Sequence, residues 1–284
     1  MTVLPAARPV GGSTRVAGII GWPVRHSLSP AMHNAAFAAC DLDVVYLAFP
    51  VPDGQAGAAL GAGRLLGLLG LSVTMPHKTD VAGLVDRPSS TVTALQAANT
   101  VVFSDAGATA GESTDGGGFV DSLRLDHDLE ARGLAVAVLG AGGAARAVVL
   151  ALAEAGCREV VVINRTAAAA ETAAALAPGI GRVGRAVDVA DADLIVHATP
   201  LGMGTSAELP IDPALLRPGQ IVADLVYHPR RTPLLASAED RGCRTVDGVG
   251  TLVHQGARQF TLWTGVEAPR AVMRAAVETA LDRT

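Results

Sequence analysis

Residues 134–166 read LAVAVLGAGGAARAVVLALAEAGCREVVVINRT, and this stretch decides the fold. An apolar run is followed by a glycine-rich turn, an alanine-rich helical stretch and a second apolar run that ends on Asn164-Arg165-Thr166. That order is a strand, a turn, a helix and a strand of a parallel sheet. It sets free backbone N–H groups at a helix N-terminus, where the pyrophosphate of a dinucleotide binds. Gly140-Ala141-Gly142-Gly143-Ala144-Ala145 fits G-x-G-x-x-A. Gly140 permits the tight turn, Gly142 lets the backbone approach the phosphates, and Ala145 is small enough for close helix packing. The alternative is a strand-to-helix turn that uses glycine for geometry alone. Arg165 weighs against it, because it stands where the ribose contact is expected. A carboxylate there would accept from a ribose 2′-hydroxyl, whereas an arginine suits a 2′-phosphate, so the pattern asks for NADP(H).

Outward from this unit, the 284 residues suffice for two domains, and half of them are apolar. The formal charge of −5, with no basic tract, argues against nucleic acid as a partner. No uninterrupted apolar run reaches the ~18 residues of a transmembrane helix, so no membrane partner is expected. Cys40, Cys157 and Cys243 are scattered and lack metal spacing, which reads as reduced cysteines of a cytoplasmic protein. Residues 1–15, with two prolines and a Gly-Gly pair before Arg15, read as a flexible arm.

Strands and helices alternate along the chain, which predicts an α/β class with parallel sheets covered on both faces. Short apolar runs at Val16–Ile20, Val44–Phe49, Leu68–Met75 and Asn99–Phe103 are candidate strands, as are Asp193–Ala198 and Ile221–Val226 later in the chain. Ser29-Pro30 predicts a helix start, with the serine as N-cap and the proline in the first turn. Further helices are expected over Gln55–Leu66, from about Lys78, and over Phe119–Leu125, Ala167–Ala177, Pro233–Arg241, Leu252–Trp263 and Ala268–Leu281. Ser104–Gly111 reads as a hairpin turn, and the run Gly116-Gly117-Gly118 as a break in the pattern.

Three places before the glycine loop can carry chemistry. Ser27 and Ser29 flank Leu28 at a helix start. They are either a cap and its neighbour or a site for a carboxylate, held by two hydroxyls and a positive helix end. Thr74-Met75-Pro76-His77-Lys78 follows a buried strand, at the end where open α/β sheets bind ligands. Lys78 is a solvated surface charge or, if enclosed, a group that assists an oxygen gaining negative charge, as hydride addition to a ketone requires. Asp115 is an Asx-type turn residue or the partner that keeps Lys78 charged and oriented. His26, His33 and His77 share no ligand spacing on one helix face, so no metal is expected.

These pieces occur in an order that resembles the shikimate dehydrogenase family. The resemblance is carried by GWPVRHSLSPAMHNAAF, VTMPHK, AANT, STDG, GAGGAAR, INRT, ATPLGM, DLVYHPRRTPLL and DGVGTLVHQGARQF, which run from Gly21 to about Trp263. It implies reversible, NADPH-dependent reduction of 3-dehydroshikimate to shikimate in aromatic amino-acid biosynthesis. It also implies a substrate-binding domain over residues 16–111, completed by 248–284, a Rossmann-type NADP-binding domain over 112–247, and an active site in the cleft between them. Carried over position by position, Lys78 and Asp115 become the catalytic pair. Ser27 and Ser29 become the substrate carboxylate site, with Thr74, Asn99, Tyr227 and Gln255 as further substrate contacts. Gly140, Ala141, Gly142, Gly143, Ala144 and Ala145 would take the pyrophosphate, and Asn164, Arg165 and Thr166 the 2′-phosphate end. Thr199 and Met203 would lie along the cofactor, and Gly250 at the loop where the chain returns to the substrate domain. The protein would be a monomer or homodimer.

The chain departs from the family at Ser72, Ser113 and His197, where asparagine is usual, and at Ala169, where a second basic residue is common. Serine reaches less far than asparagine, so the first two changes predict lost or rerouted hydrogen bonds around the substrate. Ala169 leaves Arg165 as the main arm of the phosphate clamp. The same departures keep two rivals open, a relative acting on quinate or aminoshikimate and a regulatory protein that binds both ligands without turnover.

Overall fold

The computed structural model describes residues 9–283; of the arm expected over residues 1–15, residues 1–8 lie outside the described residues. The chain divides into two compact units. One holds the described residues up to Thr114 together with those from Val253 onward, and the other is Asp115–Leu252.

In the first unit the strands are β1 (Arg15–Gly21), β2 (Val44–Pro50), β3 (Gly70–Val73), β4 (Arg87–Pro88), β5 (Thr100–Phe103) and β6 (Thr109–Glu112). The helices are α1 (Ser29–Ala39), α2 (Ala56–Leu65), α3 (Lys78–Leu84) and α4 (Ser90–Leu95). The C-terminal part of α9 (Gly248–Thr264) and all of α10 (Arg270–Leu281) complete the unit. The sheet order is β2-β1-β3-β5-β6-β4. The alternation predicts a parallel sheet, but this one is mixed: β1 pairs parallel with β2 and β3, whereas β5 runs antiparallel to both β3 and β6. The reason is the β5–β6 link. Its tight turn is closed by Ser104 N–H donating to the Ala108 carbonyl (2.9 Å), and a link this short can only join antiparallel strands. The turn expected over Ser104–Gly111 is therefore half strand.

Apolar residues of alternate register bury one face of this sheet, among them Ile20, Leu71, Val73 and Val101 against Leu60, Val81 and Val92. Tyr46 of β2 stands instead in a ring cluster with His33 (4.5 Å between centroids, stacked) and Trp263 (5.9 Å). Trp263 donates its indole N–H to the Val101 carbonyl (3.0 Å), and a Cβ on Gly70 would lie 2.0 Å from that nitrogen, so only glycine lets the indole lie on the strand. Ser72 belongs to this layer. It accepts from the Tyr46 hydroxyl (2.5 Å) and donates to Gln259 Oε1 (2.7 Å), while the Gln259 amide donates to Thr100 Oγ1 (3.0 Å). The short Ser72 hydroxyl is therefore engaged inside the core as both donor and acceptor.

The second unit contains α5 (Asp115–His127), β7 (Ala135–Leu139), α6 (Gly143–Glu154), β8 (Glu159–Ile163), α7 (Ala167–Ala174), β9 (Gly181–Val183), β10 (Leu194–His197), β11 (Ile221–Asp224), α8 (Pro233–Asp240) and β12 (Arg244–Val246). All its strand pairs are parallel, in the order β12-β11-β10-β7-β8-β9. This is the doubly wound order of a Rossmann sheet, with its switch point between β7 and β10. Val136, Val138, Val160 and Val162 bury one face, and Ala137, Leu139, Ile195 and Val222 the other. The two-sided burial explains why these strands read as unbroken apolar runs.

Gly116-Gly117-Gly118 does not break structure; it lies in the first turn of α5. A Cβ on Gly116 would meet the Ala147 carbonyl oxygen at 2.1 Å, so the glycine lets α5 press against the α6 backbone. That contact outweighs glycine's poor helix propensity of about 1 kcal/mol.

Candidate active site

In the first unit the candidate residues lie at the carboxyl ends of β1 and β3, which are neighbours in register from Ala17↔Gly70 to Ile20↔Val73. The loop after β1 carries Ser27, and the loop after β3 carries Thr74 and leads to Lys78. Backbone bonds tie them together. Trp22 N–H donates to the Met75 carbonyl (2.9 Å), Thr74 N–H to the Ile20 carbonyl (3.0 Å), and Ala98 N–H to the Lys78 carbonyl (2.9 Å). A Cβ on Gly21 would lie 2.4 Å from the Thr74 methyl, so these loops touch because position 21 has no side chain.

Ser27 and Ser29 share the start of α1, but not as the sequence predicts. Leu28 holds the cap position and Ser29 begins the helix, with Pro30 behind it. Ser27 is the residue whose hydroxyl accepts from Ser29 N–H (3.2 Å). Lys78 opens α3, and its neighbour His77 is buried and bonded through Nε2 to the Val51 carbonyl (2.8 Å). Asn99 is buried just before β5. It accepts from Thr114 N–H (2.8 Å) and the Thr100 hydroxyl (2.7 Å), and its amide donates to Thr114 Oγ1 (2.9 Å). These bonds fix the side chain in one orientation. Gln255 lies on α9, where a Cβ on the adjacent Gly256 would lie 2.2 Å from the Met32 terminal methyl, so its turn sits close against α1.

In the second unit the candidate residues lie at the switch point of the parallel sheet. Gly140 follows β7 with φ of 116°, a conformation open to glycine, and its N–H donates to the Ile163 carbonyl at the end of β8 (2.8 Å). A Cβ on Gly140 would meet the Thr199 methyl at 2.9 Å, which places Thr199 directly beside the glycine turn. Gly142 caps α6 without a side chain, and a Cβ on Gly142 or Gly143 would meet no atom within 4 Å. Open space before the uncapped N–H groups of a 12-residue helix fits a pyrophosphate. Asn164 folds back, its amide donating to the Thr166 carbonyl (3.0 Å). Arg165 is exposed. Met203 is also exposed, in the turn after β10. Tyr227 belongs to this second unit and is partly buried; burial raises its phenol pKa.

One expectation is corrected. Gly250 is not in a loop but in the first turn of α9, where a Cβ would lie 2.1 Å from Ser122 Oγ on α5. This close approach of the start of α9 to α5, a contact separate from the α5–α6 one at Gly116, accounts for its lack of a side chain. Lys78 and Asp115 fall in different units, Lys78 opening α3 of the first and Asp115 opening α5 of the second.

Sequence comparison supplies the family. The model of the shikimate dehydrogenase substrate-binding domain matches residues 19–101, that of shikimate/quinate 5-dehydrogenase matches 125–201, and that of the shikimate 5′-dehydrogenase C-terminal domain matches 248–278. This chain belongs to the shikimate dehydrogenase family. It is 46% identical to the shikimate dehydrogenase (NADP(+)) of Moorella thermoacetica, covering 93% of this chain and 92% of that one. It is 47% identical to the enzyme of the same name from Methanopyrus kandleri, covering 94% and 96%. In three dimensions it is similar to the shikimate 5-dehydrogenase of Thermus thermophilus in complex with NADP(H) and shikimate. The TM-score is 0.87 at 34% identity, over 94% of this chain and 99% of that one.

Sequence reasoning missed the polar side chains that hold the strand ends in place. His197, Asp224 and Thr232 form a buried set beside Thr199, and Tyr46 and Gln259 brace β3. A polar residue ending an apolar strand was the available signal: His197 ends β10 and Asp224 ends β11.

Proposed function

We propose that this member of the shikimate dehydrogenase family reversibly reduces 3-dehydroshikimate to shikimate with NADPH, the oxidoreductase step named by the family in aromatic amino-acid biosynthesis. The observation that carries this reading is the pairing of two local arrangements in one chain. One is a lysine at the carboxyl end of a buried strand, tied through its backbone to the neighbourhood of Asn99. The other is a glycine turn with open space at a Rossmann switch point. The first unit binds the substrate and the second the nucleotide.

NADPH, when bound, supplies the hydride that reduces the ketone. Ser27 and Ser29 hold the substrate carboxylate, with Thr74, Asn99, Tyr227 and Gln255 reading the ring and its hydroxyls. The Lys78 ammonium assists at the carbonyl oxygen as it gains negative charge, by proton donation or by its charge, and Asp115 keeps the ammonium oriented. Gly140, Ala141, Gly142, Gly143, Ala144 and Ala145 present backbone N–H groups to the pyrophosphate. Arg165, flanked by Asn164 and Thr166, meets the 2′-phosphate. Thr199 and Met203 follow the cofactor towards the nicotinamide, and Gly250 stays close to it by holding α9 against α5.

Spectrophotometric measurement of NADPH formation from shikimate and NADP⁺ tests the proposal, with quinate and aminoshikimate run in parallel. Highest kcat/KM with shikimate is the expected result. A higher value with quinate or aminoshikimate replaces the substrate. Binding of shikimate and NADPH without turnover makes the chain a ligand-binding protein instead.

A further inference from the structure

The buried polar side chains beside the glycine turn form a chain whose donors and acceptors can be assigned one by one. Asp224, 1% exposed at the end of β11, is the central acceptor. Its Oδ1 accepts from Val226 N–H (2.9 Å), and its Oδ2 accepts from the Thr232 hydroxyl (2.7 Å). The Thr232 oxygen in turn caps α8, accepting from Leu235 N–H (3.2 Å). His197 Nδ1 lies 2.9 Å from the same Oδ1. A carboxylate that already accepts two bonds has no proton to give, so Nδ1 carries the hydrogen.

His197 Nε2 lies 2.6 Å from Thr199 Oγ1. With Nδ1 carrying the hydrogen towards Asp224, Nε2 of the neutral ring is the acceptor, so the Thr199 hydroxyl gives its proton inward to Nε2. Leu201 N–H approaches the same oxygen at 3.3 Å. With its one hydrogen turned inward, the Thr199 oxygen can offer a ligand only a lone pair.

We propose that Asp224 and His197 are positioning residues that set the polarity of Thr199. They make its hydroxyl an acceptor that reads a donor group of the bound dinucleotide, a ribose hydroxyl or a carboxamide N–H, and not a phosphate oxygen. The inference rests on the reading of this unit as the NADP(H)-binding one. Placement supports it, because Thr199 adjoins Gly140 at the switch point, where ligands of open α/β sheets bind. Phosphate oxygens need donors, which the glycine-turn N–H groups provide and an acceptor-only Thr199 cannot. The phosphate and sugar parts of the ligand thus meet surfaces of opposite hydrogen-bonding sense.

Two measurements test this without relying on turnover. Nitrogen-15 ring spectra of the labelled protein at neutral pH, with His197→Asn to assign the signal, should show His197 protonated at Nδ1 and unprotonated at Nε2. A ring protonated at Nε2 overturns the proposal. Calorimetry should show Thr199→Val raising the NADPH Kd by about tenfold and leaving the shikimate Kd within about twofold, with Thr199→Ser restoring binding. Asp224→Asn turns the ring over and should weaken NADPH by a similar factor, with little further loss when combined with Thr199→Val. Full additivity means that Asp224 acts only on the fold and overturns the positioning role. Unchanged NADPH binding in Thr199→Val does the same, even where Asp224→Asn fails to fold. If the wild type binds no NADPH, the nucleotide reading itself fails, whereas normal wild-type binding with an unaffected Thr199→Val sinks this inference alone.

Discussion

The two units place their buried polar groups differently. In the all-parallel sheet of the second unit, the polar side chains Thr232, Asp224, His197 and Thr199 gather at the strand ends beside the glycine turn, and the strand interiors are apolar. In the mixed sheet of the first unit, Tyr46, Ser72, Gln259 and Thr100 bond to one another under α9, with the His33 ring stacked on Tyr46. One sheet is an apolar platform with its polarity at the rim. The other carries polarity through its core, where each group must be matched or strongly desolvated. The first arrangement leaves the apolar core of the sheet separate from the polar groups at its rim. The second makes the shape of the substrate-binding half depend on a connected set of side chains.

Four experiments would break or sharpen that contrast. The largest effect is expected from Lys78→Ala, which should lower kcat by about 10³-fold while NADPH affinity and the thermal midpoint stay near wild type. A near-normal kcat would remove the chemistry from the first unit. Next, Gly116→Val should destabilise the protein by about 3 kcal/mol in urea unfolding, since its Cβ meets backbone that cannot swing away. A loss below about 1 kcal/mol would show that the α5–α6 contact yields easily. Arg165→Ala should weaken NADPH by about 30-fold with little change for NADH, measured by fluorescence titration. Equal effects on the two nucleotides would show that this arginine does not read the 2′-phosphate.

The smallest expected effect concerns pH and the polar core. Burial holds the His33 pKa down to about 3 from 6.5, with Gln259 pulling weakly the other way. Below 6.5 the unfolded chain takes up a proton that the folded ring refuses, so the stability is complete above 6.5 and is lost as the pH falls towards 3. At about pH 5.5 the loss from this group is roughly 1.5 kcal/mol. Urea midpoints of wild type and His33→Phe at neutral and acid pH check it. An identical acid loss in both proteins would clear His33.

The parts of the molecule that were legible are those whose signals are local. The strand–turn–helix–strand of residues 134–166 folds as its periodicity and glycines require, and β7, α6 and β8 fall within a residue or two of the apolar runs. The other apolar runs mark β1, β2, β5, β10 and β11 for the same reason. The glycine run at 116–118 was misleading because propensity is a property of the chain alone, whereas the need for glycine there comes from a neighbouring helix. The turn expected over Ser104–Gly111 missed β6 because Thr109–Glu112 has little apolar character of its own. It becomes a strand by pairing with β5.

The sequence by itself determined a Rossmann unit, its glycine turn, the arginine beside it, and a lysine at the end of a second buried strand. Each of these is written within a few consecutive residues. Only the tertiary structure decided that Ser72 is spent inside the core, that Gly250 serves helix packing, and that His197 stands between Asp224 and Thr199. Those outcomes join residues up to 187 positions apart through strand register and helix contact. Bonds between such distant residues depend on which elements become neighbours, and no short window of sequence contains that information.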